Sequence, residues 1–153
     1  QFYSFAEDVK ELIDSRLYEQ SLHYFDQHQK LLPSPDGPRF VHMDFRPGNI
    51  LVNGNKVVGI IDFESVRIGS TEIDFTKINR DIFVKYPGTM EAFQRGYESI
   101  RPIIDLQTVL PFYRFIDAFN SIGWCKRRGI EKNQSFLEES LAYLKEFLDE
   151  GLS

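Results

Sequence analysis

The stretch Val41-His42-Met43-Asp44-Phe45-Arg46-Pro47-Gly48-Asn49-Ile50-Leu51, followed by Ile60-Ile61-Asp62-Phe63-Glu64, decides how this chain reads. Between the two runs lies Val52-Asn53-Gly54-Asn55-Lys56-Val57-Val58-Gly59. Apolar, β-branched residues flanking an Asn-Gly predict a tight β-hairpin that turns at Asn53 to Asn55. An antiparallel hairpin sets its outer ends side by side. Here those ends are the Asp44–Asn49 loop and Asp62, so two carboxylates and a carboxamide are expected to converge at one end of a ribbon. Oxygen ligands from Asn49 and Asp62 suit a hard cation such as Mg²⁺, which takes few carboxylates and leaves its other positions to water and substrate phosphates. Asp44 falls where it can orient a hydroxyl and accept its proton. A catalytic-loop Asp, an Asn shortly after it and a metal-binding Asp beyond a short hairpin are the parts that phosphoryl transfer requires. An isolated H-x-D or D-F-E occurs by chance; the weight rests on the combination at this spacing.

Working outward, 153 residues make about one domain, with 14 Phe and 7 Tyr to fill a core. A net charge of −5 and a pI near 5.2 argue against non-specific binding to nucleic acid or to an anionic membrane surface. The lone Cys125 excludes an intramolecular disulfide and a Cys-rich zinc site, and fits a reducing, cytoplasmic interior. No apolar run is long enough for a transmembrane helix, and no signal peptide is visible.

Ser4-Phe5-Ala6-Glu7 fits a capping box, and Val9, Leu12, Ile13, Leu17, Leu22 and Phe25 recur at helical spacing, so one or two helices are expected from about Phe5 to Leu31. Pro33-Ser34-Pro35-Asp36-Gly37-Pro38 then makes a loop. His23 and His28 lack partners at ligand spacing and read as part of a solvated face. Arg39-Phe40-Val41 is a short strand, Ser65–Gly69 an irregular or briefly extended segment, and a helix begins near Glu72. Thr89 is placed to cap a helix through Met90, Phe93 and Tyr97. A long apolar helix follows from about Leu106 to Lys126, with Pro111 in its early turns and with Trp124 and Cys125 in the core. Ser135-Phe136-Leu137-Glu138 reads as a second capping box, before a last helix whose buried stripe is Leu137, Leu141, Leu144 and Leu148. Glu138, Glu139, Lys145 and Glu146 fall on its wet side. The fold class expected is α+β, mainly α-helical, with a small β-hairpin at its functional edge.

The loop His42–Leu51 and the run Ile60–Phe63 resemble the H-G-D-x-x-P-x-N-I-L and I-I-D-[FW] motifs of the aminoglycoside phosphotransferase and choline kinase family, small-molecule relatives of protein kinases. Met43 replaces the commoner Gly, and Glu64 stands where protein kinases carry the Gly of D-F-G. Phe93-Gln94-Arg95-Gly96-Tyr97 resembles the family's F-x-x-G-Y. The resemblance runs from about Leu17 to the C-terminus, with less specificity beyond Asp74. It implies a kinase-like C-terminal lobe over residues 1–153. Asp44 would be the catalytic base or nucleophile orienter, and Asn49 and Asp62 would hold Mg²⁺ and, through it, the nucleotide. His42 would fix the loop by hydrogen bonds, and Asp74 would accept hydrogen bonds from the loop backbone. Arg46 matches the catalytic-loop Lys of protein kinases; it either touches the transferring phosphate or forms a salt bridge. The donor would be ATP or GTP and the acceptor a small alcohol: an aminoglycoside, an amino alcohol or a sugar. Acidic candidates for acceptor binding are Asp74, Asp81, Asp105, Asp117 and Glu131, none singled out by spacing.

Kinases of this type need a second, N-terminal lobe with a phosphate-covering loop and a strand Lys. Neither a Gly-rich phosphate loop nor a V-A-I-K-like run occurs here, so the nucleotide-binding lobe is expected upstream of Gln1, and the chain alone is expected to be inactive or nearly so. Two other readings are a metal-dependent phosphohydrolase and a non-catalytic kinase-like binding module. Protein-kinase activity is disfavoured, because no A-P-E segment follows Asp62 and the helix near Glu72 leaves little room for an activation loop.

Overall fold

The computed structural model describes residues 2–32 and 38–150. The expected Pro33–Gly37 part of the loop lies outside the described residues. The elements are α1 (Ala6–Lys10), α2 (Ser15–His28), β1 (Arg39–Val41), β2 (Ile50–Asn53), β3 (Lys56–Ile60), β4 (Arg67–Gly69), α3 (Glu72–Ile78), α4 (Thr89–Glu98), α5 (Leu106–Arg128) and α6 (Gln134–Glu150). The fold is mainly helical with two small antiparallel sheets, as the pattern predicts. Two compact units divide the chain: Gln1–Leu32 with Arg114–Ser153, and Pro33–Tyr113.

The first unit is all-helical. Phe115, Phe119 and Ile122 of α5 recur on one helical face and are fully buried, as are Val9 and Leu144. Phe2 stacks on Phe25 at 4.0 Å and on Phe119 at 4.2 Å between ring centroids. Ring pairs of this kind add to area burial. Gly123 is required where α5 passes Phe5, because a Cβ there would stand 2.8 Å from the Phe5 Cβ. Leu137, Leu144 and Leu148 are buried on α6, while Glu138, Glu139, Lys145 and Glu146 are exposed.

Local signals in this unit were partly misleading. Ser4 does not cap α1: it lies inside a 3₁₀ turn, Phe2–Phe5, and the position before α1 is Phe5, without a side-chain cap. The working cap is Asp14, whose carboxylate accepts from the Leu17 N–H at 2.9 Å and splits the expected helix into α1 and α2. Ser135 likewise sits within α6, where Gln134 Nε2 donates to Glu138 Oε1 at 2.9 Å instead. Trp124 is 40% exposed, a correction to its core placement, whereas Cys125 is fully buried. Trp124 stands two positions after the fully buried Ile122, roughly 200° round the helix at 3.6 residues per turn, and so faces away from the core-facing stripe. His23 is exposed; His28 stacks on Tyr24 at 3.9 Å.

In the second unit β2 and β3 form the hairpin, paired Ile50↔Ile60, Leu51↔Gly59, Val52↔Val57 and Asn53↔Lys56, with a register shift between Leu51 and Val52. Asn53 is the last strand residue, so Gly54 and Asn55 are the two turn residues, and Gly54 supplies the positive φ of 58°. The segment after Asp62 is ordered: β4 pairs with β1 as Arg39↔Gly69, Phe40↔Ile68 and Val41↔Arg67. α3 continues into a π-type turn, Asn79–Phe83. Thr89 is the first residue of α4 and not its cap; Gly88, at φ 83°, occupies the cap position, and the Thr89 hydroxyl donates to the Tyr86 carbonyl at 2.6 Å. Phe93 and Tyr97 are one helical turn apart on α4, and both meet the buried Phe75 edge-on at 5.3 and 5.5 Å. Pro111 lies inside α5, with its ring side exposed.

Candidate active site

The loop between β1 and β2 is held from three directions. Asp74, in the first turn of α3, accepts the His42 N–H on Oδ2 at 2.7 Å and the Met43 N–H on Oδ1 at 2.8 Å. These two bonds fix a backbone that Met43 enters at φ 69°, a left-handed conformation unusual for a side chain of its size. It is the position where the motif more often has Gly. His42 is buried; its Nε2 lies 2.9 Å from the Ile61 carbonyl, and its Nδ1 3.3 Å from the Asp44 N–H. A carbonyl can only accept and an amide N–H can only donate, so the ring carries its proton on Nε2. His42 therefore ties the loop to the strand end before Asp62. The Ile61 N–H in turn donates to the Asn49 carbonyl at 3.0 Å. Both polar groups of the Ile61 backbone are thus bonded to the loop, one to each end of it.

Asp44 and Asn49 come together. Asn49 is 4% exposed, and its Nδ2 donates to the Asp44 carbonyl at 2.8 Å and to Asp44 Oδ2 at 2.9 Å. Both amide protons are spent on Asp44, which leaves Asn49 Oδ1 as its remaining ligand atom. Asp62 is exposed and also left-handed, at φ 69°. This conformation turns the chain out of β3 directly after the residue bonded to Asn49. Among the described residues no cluster of three or more His, Cys, Asp or Glu side chains could hold a metal ion. The donor set that the sequence suggests for a divalent cation is one amide oxygen and one carboxylate, Asn49 and Asp62, joined here through the Ile61 backbone. It is sparse, oxygen-only and suited to an ion that keeps waters and phosphates as its other ligands.

Arg46 Nε bonds Asp44 Oδ2 at 3.0 Å, so of the two roles open to it this structure displays the salt bridge. A cation the sequence reading missed is closer still. Lys77 Nζ lies 2.5 Å from Asp44 Oδ1. Its signal was present: Lys77 stands three residues after Asp74 on α3, so the face that reaches the loop through Asp74 also carries Lys77. Partial burial pushes the Asp44 carboxyl upward, but hydrogen bonds from Lys77, Arg46 and Asn49 and the Lys77 charge outweigh it and hold the group at about 2.

Four of the five candidate acceptor carboxylates are committed elsewhere. Asp74 holds the loop, Asp81 pairs with Arg80 at 2.8 Å, and Asp105 accepts from Thr108 Oγ1 at 2.5 Å and from the Gln107 N–H at 3.1 Å. In the helical unit, Asp117 pairs with Arg114 at 3.2 Å, and Glu131 opens a 3₁₀ turn. His42 and Asp74 also border a cavity of about 700 Å³, lined chiefly by Phe40, Phe45, Phe63, Phe75, Phe93 and Tyr97.

A hairpin that carries a tethered Asp–Asn loop, with an acidic residue of α3 bonded to the loop backbone, defines a kinase-like C-terminal lobe. The profile of the phosphotransferase enzyme family (APH) matches residues 2–116, and the chain belongs to that aminoglycoside-phosphotransferase-like family. The match starts ahead of Leu17 and stops within α5. Similar solved structures include the GDP complex of aminoglycoside 2'-phosphotransferase-IIIa, at TM-score 0.67 and 23% identity over 98% of this chain and 51% of that one. Another is the GDP and kanamycin complex of APH(2")-IIIa, at TM-score 0.69 and 22% identity over 95% of this chain and 50% of that one. At these identities the likeness is one of fold, and the chain spans about half the length of these structures. No curated protein matches the chain. Among the described residues no helix is long and apolar enough to cross a membrane.

Proposed function

We propose that this chain is the catalytic and acceptor-binding lobe of a small-molecule kinase, which transfers the γ-phosphoryl group of ATP or GTP to a hydroxyl group. The observation that carries the reading is the bonding of Asn49 to Asp44 on one side and to Ile61, the neighbour of Asp62, on the other. Asp44 and Asn49 are thereby held together, with the backbone next to Asp62 bonded to the same loop. The acceptor oxygen forms a bond to the γ-phosphorus, the bond from that phosphorus to the bridging oxygen breaks, and the nucleoside diphosphate leaves. The hydroxyl proton passes to Asp44 and on to solvent. A carboxyl held at about 2 is ionised at every physiological pH and is a weak base. Its role is to orient the nucleophile, which suffices where the transition state is loose and positioning dominates. Asn49 Oδ1 and the Asp62 carboxylate would hold Mg²⁺, which supplies charge neutralisation at the phosphates when bound. Arg46, 47% exposed in its side chain, is placed to swing from Asp44 to the transferring group. His42 and Asp74 position the loop and touch neither reactant.

The nucleotide-binding lobe that completes such an enzyme is proposed to lie in the parent protein, and this chain by itself to be inactive. The test is Asp44→Ala in the full-length protein, with nucleotide consumption followed against a panel of hydroxyl compounds. A fall of about 100-fold or more, the range of a positioned acid–base group, is expected with an unchanged circular dichroism spectrum. A variant that keeps more than a tenth of wild-type turnover removes Asp44 from the mechanism.

A further inference from the structure

We propose that Lys77 selects the acceptor by charge, so that this site takes an alcohol carrying a neutral or anionic group beside its reacting hydroxyl and disfavours one carrying an ammonium there. The inference rests on the phosphotransfer reading above and deepens it.

The argument starts from the occupancy of one carboxylate. Asp44 Oδ2 already accepts from Arg46 Nε at 3.0 Å and from Asn49 Nδ2 at 2.9 Å. Oδ1 accepts from Lys77 Nζ at 2.5 Å. A carboxylate offers about four lone-pair sites, two on each oxygen. An acceptor hydroxyl therefore enters at Oδ1, as the neighbour of the Lys77 ammonium or in its place. In either case the atoms next to the hydroxyl lie beside the Lys77 ammonium. A substrate ammonium at that point meets like charge, and like-charge juxtaposition across a binding surface is strongly unfavourable. A substrate carboxylate or phosphate at the same point is bonded by the ammonium displaced from Oδ1.

The usual remedy for a cationic substrate is a ring of uncommitted carboxylates. Of the acceptor candidates in the Pro33–Tyr113 unit, Asp74 is spent on the loop backbone, Asp81 on Arg80 and Asp105 on the start of α5, while Glu64, Glu91 and Glu98 are exposed. Glu72 is buried and accepts from the Tyr113 hydroxyl at 3.4 Å. Asp62 is the proposed metal ligand. Lys77 itself is two-thirds buried in its side chain and rises from α3, the same helix that holds the loop through Asp74. It is thus fixed relative to the reacting oxygen and not a mobile surface charge.

The test uses the full-length protein and a hexose series that differs only at C2, glucose 2-sulfate, glucose and glucosamine, with kanamycin as a polycation. kcat/KM is measured for wild type, Lys77→Met and Lys77→Arg. Wild type is expected to favour the anionic over the cationic member by about tenfold or more, Lys77→Met to erase that ratio, and Lys77→Arg to retain it within about threefold. A merely structural lysine would change all members alike. Preference of the wild type for glucosamine or kanamycin, or a ratio that Lys77→Met leaves unchanged, overturns the inference while leaving phosphotransfer intact. Transfer to no member of the series overturns this inference, and transfer to no compound of the wider hydroxyl panel removes the phosphotransfer reading with it.

Discussion

Replacing Asp74 by Asn tests the loop's architecture with a single atom. The Asp74 carboxylate accepts two backbone N–H groups at 2.7 and 2.8 Å, one on each oxygen. Hydrogen bonds to a charged group contribute about 1.5–3 kcal/mol each. Asn keeps one oxygen, so one bond survives as a weaker neutral one, and its NH₂ faces an N–H that then has no acceptor. The expected loss is about 2–4 kcal/mol from the missing bond and the weakened one together. The Met43 N–H is the more exposed to this loss, because its residue holds a left-handed backbone that costs about 1–2 kcal/mol for a non-Gly residue. Urea unfolding of the Asn variant should show a lower midpoint at unchanged slope. In the full-length protein a displacement of Asp44 worth about 2 kcal/mol in the transition state would lower kcat/KM roughly 30-fold. A stability change below about 0.5 kcal/mol, the scatter of ordinary surface substitutions, would show that the two bonds do not hold the loop.

Two further outcomes are expected. Asp44 is held at about 2 against an ordinary 3.8, and a folded-state pKa below the unfolded one contributes stability that is complete above the unfolded value and lost as pH falls through the folded one. Roughly 2 kcal/mol should therefore disappear between about pH 4 and pH 2, and Asp44→Asn should flatten that part of the acid-unfolding curve; an identical acid slope in wild type and variant would refute the pairing. Met43→Gly relieves the positive φ at a cost in unfolded-chain entropy of about 0.4–1 kcal/mol, for a net gain of up to about 1.5 kcal/mol in urea unfolding. A clear loss would mean that the half-buried Met43 side chain contributes more than its backbone costs.

How much of this was legible in the sequence depends on the range of the interaction. The hairpin was readable because Asn53, Gly54 and Asn55 lie between β-branched runs, and a two-residue connection leaves one pairing open to the strands. The α6 stripe was readable because Leu137, Leu144 and Leu148 repeat at the helical period. Caps were less legible: Ser4 and Ser135 satisfied a pattern that many short stretches satisfy, while Asp14 carried the same chemistry and won where the chain had to turn.

By itself the sequence determined the local grammar of the site: which residues form the Asp44–Asn49 loop, which strands flank it, and that the strand end before Asp62 returns to it. Strand pairing across a short turn is dictated by neighbours in the chain, so that much needs no further context. The tertiary structure decided which groups surround the Asp44 carboxylate. Asp74 meets the loop from 31 and 32 residues away and Lys77 meets Asp44 from 33, contacts made only once α3 is seated. Chain entropy makes such pairings invisible to local spacing, because nothing between Asp44 and Lys77 fixes their separation until the intervening strands and the helix are packed.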